Sequence, residues 1–153
     1  MGTIDGGHVM TAKELEEKLH REIPLSRFMQ VQVVKLDDSG VELECALEPN
    51  HNHLGTAFGG SLSCLMILAA YCQIFRLIDS TGHVVIKSGE LNYKIPVHQK
   101  LRAVCPPPSA QEIKDFTEAY RKKGKARLTL ASSIVLDDGR TACTLQSEFV
   151  GIT

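Results

Sequence analysis

Leu54-Gly-Thr-Ala-Phe-Gly-Gly-Ser-Leu-Ser-Cys-Leu-Met-Ile-Leu-Ala-Ala-Tyr-Cys-Gln-Ile-Phe75 runs for twenty-two residues without a charge, its glycines gathered at one end. A glycine-rich turn opening an apolar helix leaves bare backbone N–H groups at the positive end of the helix dipole. Such a corner suits a carbonyl oxygen or an anion. From about Gly59 to Ile78 the segment is apolar nearly all the way round, so the pattern predicts a helix enclosed by sheet, stopped by Ser80-Thr-Gly82.

The segment is long enough to span a bilayer, for which about 20 apolar residues suffice. Against that reading stand Gly55, Thr56, Gly59 and Gly60 at one end, Gln73 and Arg76 at the other, and amphipathic strand patterns on both sides. No membrane span is expected.

Working outward, Val31 and Val33 alternate with polar residues up to a turn at Asp37-Asp-Ser-Gly40, and Val41, Leu43, Cys45 and Leu47 alternate with glutamates. This is a hairpin with one wet face. Before it, Thr11-Ala-Lys-Glu14 has capping-box spacing, and Leu15, Leu19 and Ile23 follow at helical intervals up to Pro24. Beyond the central segment, His83 to Val97 and Leu101 to Cys105 read as strands, the second halted by three prolines. Ser109-Ala-Gln-Glu112 repeats the capping-box signal, with Ile113, Phe116 and Tyr120 on one face before Lys122-Lys-Gly124. Leu128 to Leu136, Asp137-Asp-Gly139 and Thr141 to Val150 complete a second hairpin. The predicted fold class is α+β, with five or six mostly antiparallel strands wrapped around one long helix. Exposed sheet edges favour pairing into dimers.

At 153 residues the chain suits a single domain spanning 1–153. A net charge of −1 gives no global support for phosphate attraction, so nucleic acid is not an expected partner. Cys45, Cys64, Cys72, Cys105 and Cys143 form no CxxC pair and read as small buried hydrophobes in a reducing compartment. The first residues lack the basic-then-apolar pattern of a secretory signal, which points to the cytoplasm.

The order strand, strand, Asn52-His-Leu-Gly55-Thr-Ala-Phe-Gly59-Gly60, long helix, strands resembles the hotdog fold of acyl-thioester enzymes over most of the chain. Asn50 to Leu62 together with Glu90-Leu-Asn-Tyr93 resembles, more narrowly, the YiiD C-terminal-domain family of hotdog thioesterases. In that family the domain often follows an acetyltransferase domain, for which 153 residues leave no room. The resemblance implies a homodimer, or a dimer of such dimers, acting on acyl-CoA or on acyl groups held by acyl carrier protein.

By that match the Gly60 N–H points at the thioester carbonyl, and the Asn52 amide donates to the same oxygen or orients a water. Gly55, Thr56, Phe58 and Gly59 would line the bound thioester. The residues alone leave other readings open: Gly59 and Gly60 answer equally to a positive φ or a close backbone approach, and Asn52 to an Asx turn. In commoner hotdog thioesterases a histidine stands where this chain has Phe58, and the acid that activates water falls on Ile67. No Asp or Glu lies between Glu48 and Asp79. Glu90, Glu148, His51 and His53 are the bases left to rescue hydrolysis, Glu90 foremost if its strand faces a partner's helix. Otherwise it is a solvent-facing strand residue.

Hydrolysis needs an activated water, whereas decarboxylating a malonyl thioester needs only its carbonyl polarised while charge moves onto it. The missing acid favours a malonyl-thioester decarboxylase, beside the thioesterase that the resemblance implies. A noncatalytic acyl-thioester or carrier-protein binding module is the third reading. His51 and His53 share a face of an extended segment but lack a third ligand, so no metal and no cofactor is expected. Met66, Tyr71 and Phe75 stand at helical spacings and suit either an acyl tunnel or the core. Arg121, Lys122, Lys123, Lys125 and Arg127 form the one dense basic cluster, suited to carrier phosphates, an acidic carrier surface or plain solvation.

Overall fold

The structure, a computed structural model, describes residues 10–78 and 82–153. Helix α1 (Ala12–Glu22) starts where the Thr11 hydroxyl accepts the Glu14 N–H, and buries Leu15 and Leu19. Pro24 does more than end it. With its fixed φ and absent N–H it opens a second short helix, α2 (Pro24–Phe28).

Six strands form one antiparallel sheet in the order β1-β2-β4-β5-β6-β3. They are β1 (Gln32–Asp37), β2 (Gly40–Cys45), β3 (His83–Tyr93), β4 (Leu101–Cys105), β5 (Lys125–Val135) and β6 (Thr141–Ile152). The wet face of the first hairpin carries Glu42 and Glu44, which pair across to Arg102 and Lys100 at 3.1 and 2.9 Å. In the second hairpin Gly139 takes φ +89° at the turn, a conformation glycine adopts without strain.

The apolar segment folds into helix α3 (Gly59–Phe75), which packs on one face of the sheet against β2 to β6. It closes three residues before the expected Ile78, and Ser80 and Thr81 of the predicted stop lie outside the described residues, as does the N-terminal stretch. The inner face of β5 offers α3 the buried Ala126, Leu128, Leu130, Ser132 and Ile134, and the Ser132 hydroxyl donates to the Met66 carbonyl at 3.0 Å. Helix α4 (Ala110–Lys123) has a complete capping box between Ser109 and Glu112 and ends on Gly124 at φ +67°. Its Phe116 and Tyr120 rest beside Gly151 at the C-terminal end of α3.

The enclosure of α3 is incomplete in this chain. Gly60 is exposed and Ser63, Ile67 and Tyr71 are half-buried, one stripe along the helix, while Met66 and Phe75 are core. Beside that stripe β3 stands at the sheet edge with Val85, Ile86 and Tyr93 exposed, although eleven residues is long for an unpartnered edge. No helix among the described residues is long and apolar enough to cross a membrane.

Burial pushes the Cys45 and Cys105 thiols and the Tyr71 phenol up to about 12, and raises Cys64, Cys72 and Cys143 as well. An acid whose folded pKa lies above its unfolded value adds stability below the unfolded pKa and loses it as pH rises through the gap. Denaturation midpoints should therefore hold to about pH 8.5, the range of a free thiol, and fall steadily above it. Native thiol titration at pH 8 should find half-buried Cys64 first and the four buried cysteines only on unfolding.

Candidate active site

The corner that leads into α3 is built by two asparagines. Asn50 is buried, and its side-chain amide donates to the carbonyls of Met29 and Ala46 at 2.9 and 2.8 Å. Its own carbonyl accepts the Phe58 N–H at 2.8 Å. One residue thereby ties the end of α2, the end of the first hairpin and the start of α3 together.

Asn52 closes the loop between them. Its Oδ1 accepts the N–H groups of Leu54 and Thr56 at 2.9 and 3.2 Å, and its Nδ2 donates to the Thr56 hydroxyl at 2.8 Å. Gly55 turns the chain at φ +79°, its N–H on the Asn52 carbonyl at 3.1 Å. The Asx turn named as an alternative is thus present. Among the described residues it leaves one amide hydrogen of Asn52 uncommitted, since a primary amide has two.

Helix α3 starts without a side-chain cap, its N-cap being Phe58. The first intrahelical bond runs from the Leu62 N–H to the Phe58 carbonyl, so the N–H groups of Gly59, Gly60 and Ser61 have no partner within the helix. Neither Gly59 nor Gly60 has a positive φ. Each instead admits a ring: a Cβ on Gly60 would lie 2.5 Å from the exposed Phe58 ring, and one on Gly59 would lie 3.3 Å from Tyr93. The Tyr93 hydroxyl donates to the Gly59 carbonyl at 2.8 Å. The corner is therefore a pair of aromatic side chains beside helix-start N–H groups that the helix leaves unpaired.

The structure gathers Asn52, Gly55, Thr56, Phe58, Gly59 and Gly60 in this corner and does not bring Glu90 to it. In the sheet Leu91 pairs with Leu145 on the helix side, so Glu90, opposite Gln146, faces outward. There it lines a shallow cavity of about 300 Å³ with Asn92, Ser133, Thr144 and Gln146, away from α3. Glu148 is also on the outer face, between Lys87 and Arg127 at 3.9 and 3.8 Å. His51 and His53 are exposed. Among the described residues no three His, Cys, Asp or Glu side chains converge in a metal-binding arrangement. Asn50 and Tyr93 carry no role in the sequence reading. Tyr93 is reachable from it, because strand parity puts Tyr93 on the side of Leu91 and opposite Glu90.

A family model described as "Putative thioesterase (yiiD_Cterm)" matches residues 12–153. The chain belongs to this family. No curated protein is matched. Among solved structures, a protein of unknown function from Chlorobaculum tepidum is similar at 26% identity and TM-score 0.84, over 95% of this chain and 98% of that one. A "putative thioesterase" from Shewanella oneidensis is similar at 22% identity and TM-score 0.81, over 93% and 97% of the two chains. A thioesterase from Haemophilus influenzae is similar at 12% identity and TM-score 0.75, over 95% and 93%. The fold is the hotdog of these thioesterase structures: a six-stranded antiparallel sheet around a central helix.

Proposed function

We propose that this protein is a cytoplasmic homodimer, joined along β3, that binds acyl thioesters of coenzyme A or acyl carrier protein with the thioester carbonyl at the start of α3. The observation that carries this reading is the uncapped helix start, where the exposed residue Gly60, whose N–H has no partner within the helix, lies against the Phe58 ring. A preorganised donor of this kind, aided by the helix dipole, stabilises an oxygen on which negative charge develops. The free hydrogen of the Asn52 amide supplies the second donor.

Two reactions make use of such a donor. In hydrolysis a water adds to the carbonyl and the thiolate leaves. In decarboxylation of a malonyl thioester the carboxylate carbon–carbon bond breaks, its electron pair becomes an enolate held at Gly60, CO2 departs, and a proton from water gives the acetyl thioester. The second needs no general base. It is favoured by the half-buried Ile67 on the exposed stripe of α3 and by the outward direction of Glu90.

Mass spectrometry of malonyl and medium-chain acyl carrier protein, and of the matching coenzyme A thioesters, decides between them. Loss of CO2 with the carrier still acylated is the expected result for the malonyl thioester. A freed carrier thiol would establish hydrolysis instead. Carrier binding without turnover would leave only the binding module.

A further inference from the structure

The basic cluster lies at the opposite end of the protomer from its own helix start. The Tyr93 hydroxyl sits on Gly59 at the N-terminal end of α3, and Tyr93 pairs with Cys143 and through it with Ile134. At the other end Ile78 touches Gly151, whose neighbours in the sheet are Val84 and Ala126. Lys125 is one residue further out, in the cross-strand row His83, Ile152, Lys125. The seventeen residues of α3 hold the two ends about 25 Å apart.

A twofold axis through the β3 edge reverses this separation. Pairing β3 antiparallel with its own copy brings the His83 end of one strand toward the Tyr93 end of the other. The cluster of one protomer then lies on the same side of the dimer as the helix start of its partner. It is set back by β3, β6 and β5 of its own subunit, roughly 15 Å at about 5 Å per strand. The extended arm of a carrier protein can cover such a distance.

We propose that Arg121, Lys122, Lys123 and Lys125 form the docking surface for an acidic acyl carrier protein whose thioester enters the site of the opposite subunit. This rests on the dimeric thioester reading above. All four are exposed, and none makes an ion pair among the described residues. Arg127 continues the row but shares Glu148 with Lys87. The dipole of α4 accounts for cations in its last turn, yet Lys125 and Arg127 lie beyond the helix, on the outward face of β5 in alternation with buried Ala126 and Leu128. The surface is an exposed helix end running into a strand. A nucleotide is held in concave sites that enclose most of its surface, whereas a spread of exposed cations meets an extended acidic face and speeds its encounter.

The test uses the full-length dimer with Lys122→Glu, Lys123→Glu and Lys125→Glu combined, checked for fold and dimerisation by circular dichroism and sedimentation. KM for carrier-borne thioester should rise about tenfold or more at low salt, with KM for the coenzyme A thioester unchanged. An unchanged carrier KM overturns the docking surface and leaves the thioester reading standing. An equal rise for coenzyme A overturns the choice of a protein partner. Mixed dimers of the charge-reversed chain with a Gly60→Pro chain should regain carrier turnover, because one site then faces an intact cluster. Failure to regain it overturns action across the dimer. If the wild-type protein turns over no thioester, the catalytic reading fails on its own, and fluorescence anisotropy of labelled carrier decides the surface. Binding lost on charge reversal supports it, and binding absent or unaltered overturns it.

Discussion

Replacing Gly60 with proline is expected to lower kcat by roughly 10²–10³-fold for any thioester turned over, while the fold is retained. The change removes one N–H at the second position of α3, in the first turn of a helix, where proline is tolerated because no intrahelical bond is lost. Alanine does not ask the same question. It places the same Cβ 2.5 Å from the Phe58 ring as proline does, so that the ring must swing away in both variants, but it keeps the N–H. Gly60→Ala should therefore cost less in kcat than proline, and adding Phe58→Ala should recover most of its loss by giving the Cβ room. Steady-state kinetics on the three variants, with thermal melts beside them, separate the donor from the space. A proline variant as active as wild type would remove Gly60 from the chemistry.

That experiment is framed by geometry which the sequence only half discloses. The charge-free run and the alternating strands around it are enough to place a largely buried helix against an antiparallel sheet, because a helix covered on most of its surface leaves little room for charge. They do not tell why two glycines stand together at its start. The reason is tertiary: Phe58 folds back over one, and Tyr93 arrives over the other from a strand that is distant in the chain. Asn50 is opaque for the same cause, since its partners Met29, Ala46 and Phe58 converge only in the folded chain. Glu90 is different. Its outward direction follows from the apolar Leu91 beside it, and parity argues against a base there within the protomer. The helix ends short of the expected boundary: Leu77 and Ile78 extend the apolar run past the last helical turn, Leu77 packed against the core and Ile78 beside Gly151 at the sheet end. Hydrophobicity reports burial there, and the hydrogen-bond pattern departs from it.

The largest gain of function is expected from putting back the acid that the helix lacks. Ile67 lies seven residues beyond Gly60, two turns along the same face of α3, and is half-buried. Side chains on a helix lean toward its N-terminus, so Ile67→Glu projects its carboxyl back toward the Gly60 corner. Partial desolvation raises the pKa of such a carboxyl toward neutrality, which suits a base that must accept a proton from water. Hydrolysis of acyl thioesters should rise by about 10²-fold or more over wild type, the usual contribution of a positioned general base. Ile67→Gln, of the same shape and without the charge, should give no such rise. The rate should climb with pH through the titration of the new carboxyl and then level off. If the wild-type protein already hydrolyses with a base from elsewhere, the Ile67→Glu and Ile67→Gln variants should be alike and slower, because both disturb an apolar wall. A large difference between them means that the native site polarises a thioester carbonyl without activating water, and that is the condition under which a malonyl thioester loses CO2 and keeps its carrier.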